Sequence, residues 1–375
     1  MILVTLTAAR FFNHHINEHH MASTMQDLIA KIGKGAKASK DLTWDEAKQA
    51  MRQLIEGQAT PVQIGAFLLA MRVKMESVSE LAAFTSAARE YTTPLRIATR
   101  RPLVDVSSYA GKKDTFHALA GSAIIAAAAG VAVLIHGHEG IPERLSMASV
   151  LAALGISVDL VPEQITQHVA SKGFAYLDIA LYHPPLAGFL QLRQELGVRS
   201  FFHPVAKMLN PARAPVQIIG VTHPPYFEKT AEALNMLGSR RVVVLRGVEG
   251  DPELSIASST RLLDVKEERI MPLTLQPRDI GLPNGSFRDM AGFPPGQVEQ
   301  EATLLRRILT NEIRGPHRDW VVQNAALLLY AAGVTPSISA AVPIAQQIID
   351  SGASATKLAE LAKSSQSAAE KESAA

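Results

Sequence analysis

The sequence predicts an α/β protein: a helical N-terminal domain, plus an α/β domain with a mostly parallel sheet flanked by helices. Two observations support this prediction. Residues 25–92 carry repeated helix-start signals and a 3.6-residue apolar period. From residue 102 onward, short apolar runs alternate with helix-like segments, which is the pattern of a parallel sheet covered by helices on both faces.

Helix starts are readable in the N-terminal part. Thr43 with Glu46, and Ser77 with Glu80, have the spacing of capping boxes, in which each side chain binds the backbone N–H of the other residue. Pro61 follows a threonine, and proline is favoured at the first position of a helix. These signals predict a small helical bundle.

The alternating region supplies six candidate strands and four candidate helices. The strand-like runs are 103–106, 131–135, 158–161, 216–221, 241–246 and 261–265. The helix-like segments between them are 116–129, 144–154, 162–172 and 227–237. Gly155 and Gly238 follow two of these segments, at the position where helices commonly end.

These elements predict four segments. Residues 1–24 form a disordered extension, 25–95 a helical domain completed by about 184–200, 96–352 the α/β domain, and 353–375 a helical or frayed tail. The extension carries His14, His15, His19 and His20 at helical spacing. It either binds a metal or, since no carboxylate pattern accompanies the histidines, is an unstructured extension or the product of a start codon placed too early, ahead of Met21 or Met25.

Composition excludes several classes of protein. The net charge of +2 is too small to indicate nucleic-acid binding without a local basic surface. The chain has no cysteine, which excludes disulfides, thiolate metal sites and cysteine nucleophiles. The longest apolar stretch, 118–135, is interrupted by small residues and divides better into a buried helix and a strand than into a membrane span. We therefore expect a cytoplasmic protein that does not enter the membrane.

The segment 107–115 follows the first predicted strand and leads into a long, Ala-rich helix. Junctions of this kind bind phosphate because free backbone N–H groups and the helix dipole face the anion. Here the loop has one glycine, Gly111, beside a bulky Tyr109. Lys112 and Lys113 either hold a phosphate or a nucleic-acid backbone by their charge, or belong to an ordinary solvated turn.

Further candidates follow other predicted elements. His136 and His138 end the second strand, where α/β proteins bind ligands, or are packed beneath a loop. Arg193 either binds a carboxylate or phosphate group of a ligand through two hydrogen bonds, or lies solvated at the end of a surface helix. Asp251 and Glu253 lie in an acidic loop, which is either a remnant divalent-metal site or a polar turn.

Five aromatic side chains lie near basic residues in the sequence, and each has a functional and a structural interpretation. They either stack on bases or, as is more usual, fill the core. The five are Tyr109, Phe116, Phe201, Phe202 and Tyr226.

In their order and spacing, several short motifs resemble the anthranilate phosphoribosyltransferase family. The motifs lie at 63–68, 115–116, 136–137, 154–155, 195–200, 210–211 and 253–255. The resemblance implies a nucleoside phosphorylase/phosphoribosyltransferase-like fold, a cleft between the two domains, and a homodimer formed through the helical domain. Segments 192–211 and 222–226 are similar to a divergent, YbiB-type branch, whose members are associated with nucleic-acid binding.

The resemblance also implies a set of site residues. The residues that would contact phosphate or a polyanion are Ser107, Ser108, Gly111, Lys112, Lys113 and Thr115. The residues that would line the acceptor or anion cleft are His136, His138, His183 and Arg193. Those that would bind Mg²⁺ are Asp251 and Glu253. The family's phosphate loop, Gly-Thr-Gly-Gly-Asp-Gly, is replaced here by residues 107–112. A tyrosine or alanine side chain obstructs the close backbone approach to pyrophosphate that glycines allow.

Two functions are open on these grounds. The first, which we favour, is binding of polyanions such as nucleic acid by a chain that lacks the parent reaction. The second is a magnesium-dependent transferase that moves a phosphoribosyl or pentosyl group from a phosphorylated sugar to an unknown acceptor, with anthranilate less favoured. The near-neutral net charge counts against the first function, and the altered phosphate loop counts against the second.

Overall fold

The computed structural model describes residues 23–35, 38–109, 111–138 and 143–372, with side chains described as far as residue 363. Of the predicted extension, only Ser23 and Thr24 are described, and Thr24 caps the first helix. Residues 1–22, with the four histidines, lie outside the described residues.

Four helices open the described chain: α1 (Met25–Ile32), α2 (Trp44–Ile55), α3 (Pro61–Lys74) and α4 (Val78–Glu90). Capping boxes begin α2 at Thr43 and α4 at Ser77, as the sequence predicts. Thr60 caps α3 in the same way, with Pro61 in the first turn. Each cap satisfies backbone N–H groups that the helix leaves unpaired, and removing one costs about 1 kcal/mol.

The predicted mostly parallel sheet is confirmed. It has seven strands: β1 (Leu103–Ser108), β2 (Ala132–Gly137), β3 (Phe174–Asp178), β4 (Val216–Gly220), β5 (Arg241–Leu245), β6 (Thr260–Lys266) and β7 (Arg269–Leu275). Their order is β3-β2-β1-β4-β5-β6-β7. The first five in this order are parallel, and β6 and β7 extend the sheet antiparallel at one edge.

Eleven further helices complete the described chain. They are α5 (Ala118–Ala128), α6 (Met147–Ala153), α7 (Pro162–Lys172), α8 (Ile179–Tyr182), α9 (Pro184–Leu196), α10 (Phe202–Lys207), α11 (Pro225–Met236), α12 (Val298–Leu309), α13 (Pro316–Ala331), α14 (Ile338–Asp350) and α15 (Ala353–Glu372). Three short 3₁₀ helices lie at Pro277–Ile280, Phe287–Met290 and Pro295–Gln297. In the part of the chain that the structure describes, no helix is both long and apolar enough to cross a bilayer.

The sheet divides the core into two layers because successive side chains of a strand point to opposite faces. Val104 and Val106 of β1 pack with the Ala-rich α5 and with α13. Leu103 of β1 and Leu134 of β2 face the other layer, which continues into the N-terminal helices and into α9 and α10. The helical bundle therefore rests on one sheet face, and a cleft forms where the bundle meets the sheet edge.

The predicted strand at 158–161 is wrong. This run is an irregular link between α6 and α7, and the strand at that edge of the sheet is β3, after α7. The run is apolar because Leu160 is buried in the core beneath the link, and its last residue, Val161, is the N-cap of α7. The sequence does not predict β7: its residues are mostly apolar, but Pro272 interrupts the run, and proline in a run argues against a strand.

Candidate functional site

The carboxyl ends of β1, β2, β4 and β5 meet at one edge of the sheet, and each strand leaves through a polar loop. Ligands of open parallel sheets bind at this edge. The loops are packed closely: a Cβ built on Gly137 would lie 2.1 Å from the carbonyl oxygen of Ser108, and one on Gly220 would lie 2.4 Å from the carbonyl carbon of Asp251. Only glycine fits at these two positions without a backbone shift.

A cleft of about 500 Å³ lies between this edge and helices α3, α9 and α10. Its described lining carries four arginine or lysine side chains, Arg72, Arg193, Arg199 and Lys207, and one carboxylate, Glu143. The volume is within the usual range of small-molecule sites, about 300–1,000 Å³. Because cations predominate in the lining, the cleft favours anionic ligands.

Burial controls the protonation of two cleft residues. Lys207, at the end of α10, donates hydrogen bonds to the carbonyl oxygens of Gly220 (2.6 Å) and Gly250 (2.5 Å). Burial lowers the pKa of Lys207 to about 8. Burial also lowers the pKa of His203 to about 4, and nearby cations act in the same direction. At neutral pH Lys207 therefore keeps most of its positive charge, and the His203 ring is neutral.

The predicted phosphate-binding residues divide into a buried group and a surface group. Ser107 and Ser108, at the end of β1, are buried, and the Ser108 hydroxyl donates to Asp251 Oδ1 (2.8 Å). Gly111 has a φ of 58°, a left-handed conformation that glycine adopts without strain. Lys113 is exposed and Thr115 is half-buried on the outer side of the same loop.

Lys112 points into the protein instead of toward solvent, and its residue exposure is 1%. Its Nζ forms an ion pair with Glu253 and donates to the carbonyl oxygen of Phe116 (2.8 Å). The ammonium also lies 5.0 Å from the ring centroid of Trp320. The charge of Lys112 is thus used inside the chain, and of the two loop lysines only Lys113 presents its charge to the surface.

The outer side of the loop already holds an anion, the carboxylate of Glu249. Its oxygens accept hydrogen bonds from the backbone N–H groups of Lys113 (2.8 Å), Asp114 (3.0 Å) and Thr115 (2.9 Å). The Thr115 hydroxyl adds a fourth bond at 3.0 Å. A carboxylate of the chain therefore occupies the backbone donors that a phosphate loop offers to its ligand.

The pair Asp251 and Glu253 does not fit Mg²⁺ in this arrangement. Glu253 is fully buried, and its two oxygens are engaged by Lys112 and by the backbone N–H of Leu119 (2.7 Å). Asp251 Oδ1 accepts from Ser108, so only Oδ2 of the pair lacks a partner among the described residues. Within these residues, no three histidine or carboxylate side chains lie together as a metal site. In this arrangement the Lys112 ammonium forms an ion pair with Glu253, and Asp251 accepts a hydrogen bond from Ser108.

His136 lies beneath the cleft in a buried chain of hydrogen bonds. Its Nε2 faces Asp105 Oδ2 (3.1 Å), and its Nδ1 faces the hydroxyls of Tyr109 (2.7 Å) and Tyr182 (2.8 Å). Burial raises the pKa of both tyrosines well above the usual value. This arrangement fixes Tyr109, which lines the cleft at the place where the phosphate loop begins.

Of the other three predicted cleft residues, two line the cleft and one is buried away from it. His138 and Arg193 line the cleft, whereas His183 is fully buried between α4 and α9. His183 Nε2 donates to the Ala88 carbonyl oxygen (3.0 Å), and its Nδ1 accepts from the backbone N–H of Leu186 (3.3 Å). His183 is therefore a structural cap. Four cationic or histidine residues of the lining were missed by the sequence interpretation, namely Arg72, Lys207, His203 and His223.

The aromatic residues mostly fill the core, the more usual of the two alternatives. Phe116, Phe201 and Phe202 are completely buried. Tyr109 and Tyr226 are about nine-tenths buried, but both line the cleft. Only these two remain available to contact a ligand.

The fold and the cleft define a two-domain α/β protein with a cationic cleft at the carboxyl edge of its sheet. Family descriptions match both parts: "Glycosyl transferase family, helical bundle domain" matches residues 26–92, and "Glycosyl transferase family, a/b domain" matches residues 100–355. The chain belongs to this glycosyl transferase family.

Similar proteins carry the name anthranilate phosphoribosyltransferase. The relative from Moorella thermoacetica is 37% identical over 333 residues, which is 88% of this chain and 96% of the relative. The relative from Methylibium petroleiphilum is 36% identical over 85% of this chain and 92% of its own length. The crystal structure of the Thermus thermophilus enzyme is 32% identical, with a TM-score of 0.80 over 91% of this chain and 99% of that chain. The Saccharomyces cerevisiae enzyme in complex with PRPP and Mg is 18% identical, with a TM-score of 0.78 over 94% of this chain and all of that chain, and shares the fold.

Proposed function

We propose that this chain lacks the parent transferase reaction and binds polyanions, in particular single-stranded nucleic acid, through its cationic cleft. The observation that carries the proposal is the buried ion pair of Lys112 with Glu253. Loss of pyrophosphate from a phosphoribosyl donor relies on a metal that neutralises the leaving group. Here the Lys112 side chain neutralises Glu253. Because Lys112 is part of the chain, it cannot leave the site as a free metal ion can.

The lining of the cleft supports the choice of nucleic acid. Arg193 and Arg199 are accessible at one side of the cleft, where they can contact successive phosphates. Tyr226 and His223, whose ring centroids are 6.0 Å apart, offer rings for base stacking. The cleft volume accommodates a nucleotide unit but not a duplex, so the proposed ligand is a single strand.

The test is a fluorescence titration of a labelled single-stranded DNA oligonucleotide at two salt concentrations. We expect affinity to fall steeply as salt rises, and the Arg193→Ala/Arg199→Ala variant to reduce the salt slope by about one to two units. Arg261→Ala is the matched control, since Arg261 is exposed and pairs with Glu228 away from the cleft lining. The absence of salt-sensitive binding, or an equal effect of the control, would reject nucleic acid as the ligand.

The second candidate is a magnesium-dependent phosphoribosyl or pentosyl transferase with an unknown acceptor. The extent and identity of the similarity to the named transferases favour it. It requires Mg²⁺ to displace Lys112 from Glu253. Magnesium-dependent release of pyrophosphate from phosphoribosyl pyrophosphate, abolished by Glu253→Gln, would establish this function and reject the loss of activity.

We also propose a homodimer through the helical domain. Val62, Ala66, Leu69 and Val73 form one exposed, apolar face of α3. An exposed apolar face of this kind is typical of an interface between proteins. Membership of the YbiB-type branch and a cytoplasmic location are parts of the same proposal.

A further inference from the structure

Lys207 is the only lysine in the described lining of the cationic cleft, where the other cations are the guanidinium groups of arginines. It is the last residue of α10, a short helix that is fixed because Phe202 and Val205 are packed in the core. Lys207 itself is partly exposed, so a ligand in the cleft can reach its side chain. The cleft therefore contains a primary amine, a group that can act as a nucleophile.

Two backbone carbonyl oxygens hold the amine of Lys207. Its Nζ donates to the oxygen of Gly220, at the end of β4, and to that of Gly250, in the loop after β5, at 2.6 and 2.5 Å. An ammonium group has three N–H donors, whereas a neutral amine has two N–H donors and a lone pair. Among the described residues no third acceptor meets Nζ, so its two partners match the donors of the neutral amine. In that form the lone pair is left for an electrophile in the cleft.

The surroundings of Lys207 also promote loss of its proton. Burial lowers the pKa of Lys207 to about 8, the charge of Arg199 acts in the same direction, and the carboxylate of Asp251 opposes both. At pH 7 roughly a tenth of the amine is neutral, about 300 times the fraction in a solvated lysine. Desolvation of this kind makes a lysine nucleophilic toward carbonyl carbon.

We propose that Lys207 is a nucleophile that forms an imine with the open-chain aldehyde of a sugar phosphate, in particular the C1′ aldehyde of an abasic nucleotide in a single strand. The Nζ lone pair attacks C1′, and the aldehyde oxygen leaves as water with the two protons of the amine. A C=N bond thus replaces the C=O bond without an oxidant or reductant, and water reverses the step. The proposal rests on the binding of single strands proposed above.

The cleft suits a sugar that has lost its base. Its volume of about 500 Å³ accommodates a nucleotide unit, so a smaller abasic unit can place C1′ against Nζ. Arg193 and Arg199 can contact the phosphates on either side of this sugar, and His223 and Tyr226 can stack on a neighbouring base. An intact nucleotide has no free aldehyde, so the reaction is restricted to the abasic unit.

The test traps the imine with sodium cyanoborohydride, which reduces it to a stable secondary amine. The full chain is incubated with a labelled single-stranded oligonucleotide that carries one abasic nucleotide, and peptide mass mapping identifies the modified lysine. Lys207→Arg keeps the positive charge and removes the primary amine. Lys266→Arg makes the same change at an exposed position of β6, outside the described lining of the cleft, and is the matched control. We expect Lys207→Arg to reduce the trapped adduct at least about tenfold, and Lys266→Arg to leave it unchanged.

The peptide map of the wild-type chain gives a second comparison, which stands even if Lys207→Arg fails to fold. We expect Lys207 to be modified at least about tenfold more than Lys266. Ribose 5-phosphate, used in place of the oligonucleotide, separates the two sources of the aldehyde. Modification of Lys207 by ribose 5-phosphate alone would support the imine and assign the aldehyde to a free sugar phosphate.

Three results would overturn the proposal: no modification of Lys207 by either aldehyde, equal modification of Lys207 and Lys266, or an undiminished adduct in folded Lys207→Arg. A fluorescence titration of the same oligonucleotide separates this failure from failure of the proposed function. Binding of the oligonucleotide without an adduct rejects the imine and leaves the binding function intact. Absence of binding, with Lys207 still modified by ribose 5-phosphate, rejects the binding function and retains the imine.

Discussion

Replacing Lys112 by methionine tests whether an internal ammonium stands where the family implies a metal. The side chains of Lys112 and Glu253 are 1% and 0% exposed. Removing one member of such a pair leaves an uncompensated buried charge, at a cost of about 3–5 kcal/mol. The variant also loses the hydrogen bond to Phe116, worth about 1 kcal/mol. Glu253 retains only the Leu119 N–H.

The loss of folding stability in Lys112→Met should depend on pH. Burial already raises the pKa of Glu253, and the charge of Lys112 is the largest influence that lowers it, so the variant raises it further. A carboxyl group whose folded-state pKa lies above its unfolded value contributes stability below the unfolded pKa, and this contribution is lost as pH rises through the folded pKa. The deficit of Lys112→Met should therefore be greater at pH 8 than at pH 5.

Urea unfolding at the two pH values measures this effect. We expect a deficit of about 4 kcal/mol at pH 8, and recovery of most of it in Lys112→Met/Glu253→Leu, because an apolar pair of similar volume replaces a buried ion pair at little cost. A single-variant deficit below about 1 kcal/mol at pH 8, or a double variant as unstable as the single one, would refute the assignment of Lys112 as the counter-ion of Glu253.

Four further predictions follow from the site and the fold. Mg²⁺ should leave the melting temperature of the wild-type chain unchanged, because Lys112 occupies Glu253, and a clear rise on calorimetry would contradict this. Binding of single-stranded DNA should weaken between pH 7 and pH 9 as Lys207, with its pKa of about 8, loses its charge, and Lys207→Arg should bind independently of pH over this range. Leu69→Glu, on the exposed face of α3, should give a monomer by sedimentation with an unchanged circular dichroism spectrum, and an unchanged sedimentation coefficient would argue against an interface there. Gly137→Ala should cost about 1–3 kcal/mol in denaturant unfolding, because its Cβ would lie 2.1 Å from the Ser108 carbonyl oxygen, and a loss within experimental error would show that the two strand ends can separate freely.

Local signals in the sequence were sufficient to predict many of the helices and strands. A capping side chain and its partner are three residues apart, so Thr43 and Ser77 predict helix starts without knowledge of the rest of the chain. The parallel strands β1, β2, β4 and β5 are buried and mostly apolar, and the sequence predicts all four. The sequence analysis missed β3, although β3 is equally apolar and buried. The run at 158–161 misled because an apolar link that covers the core has the same pattern as a short buried strand.

The sequence by itself determined the two-domain α/β architecture, the helix caps and the position of the altered phosphate loop. Only the tertiary structure decided what the loop residues do, because their partners are distant in sequence. Glu253 is 141 residues from Lys112, and Glu249 is 134 residues from Thr115. No periodicity connects such pairs. Packing of the β5 loop against the β1 loop turns one lysine inward and places a carboxylate on the loop's N–H groups.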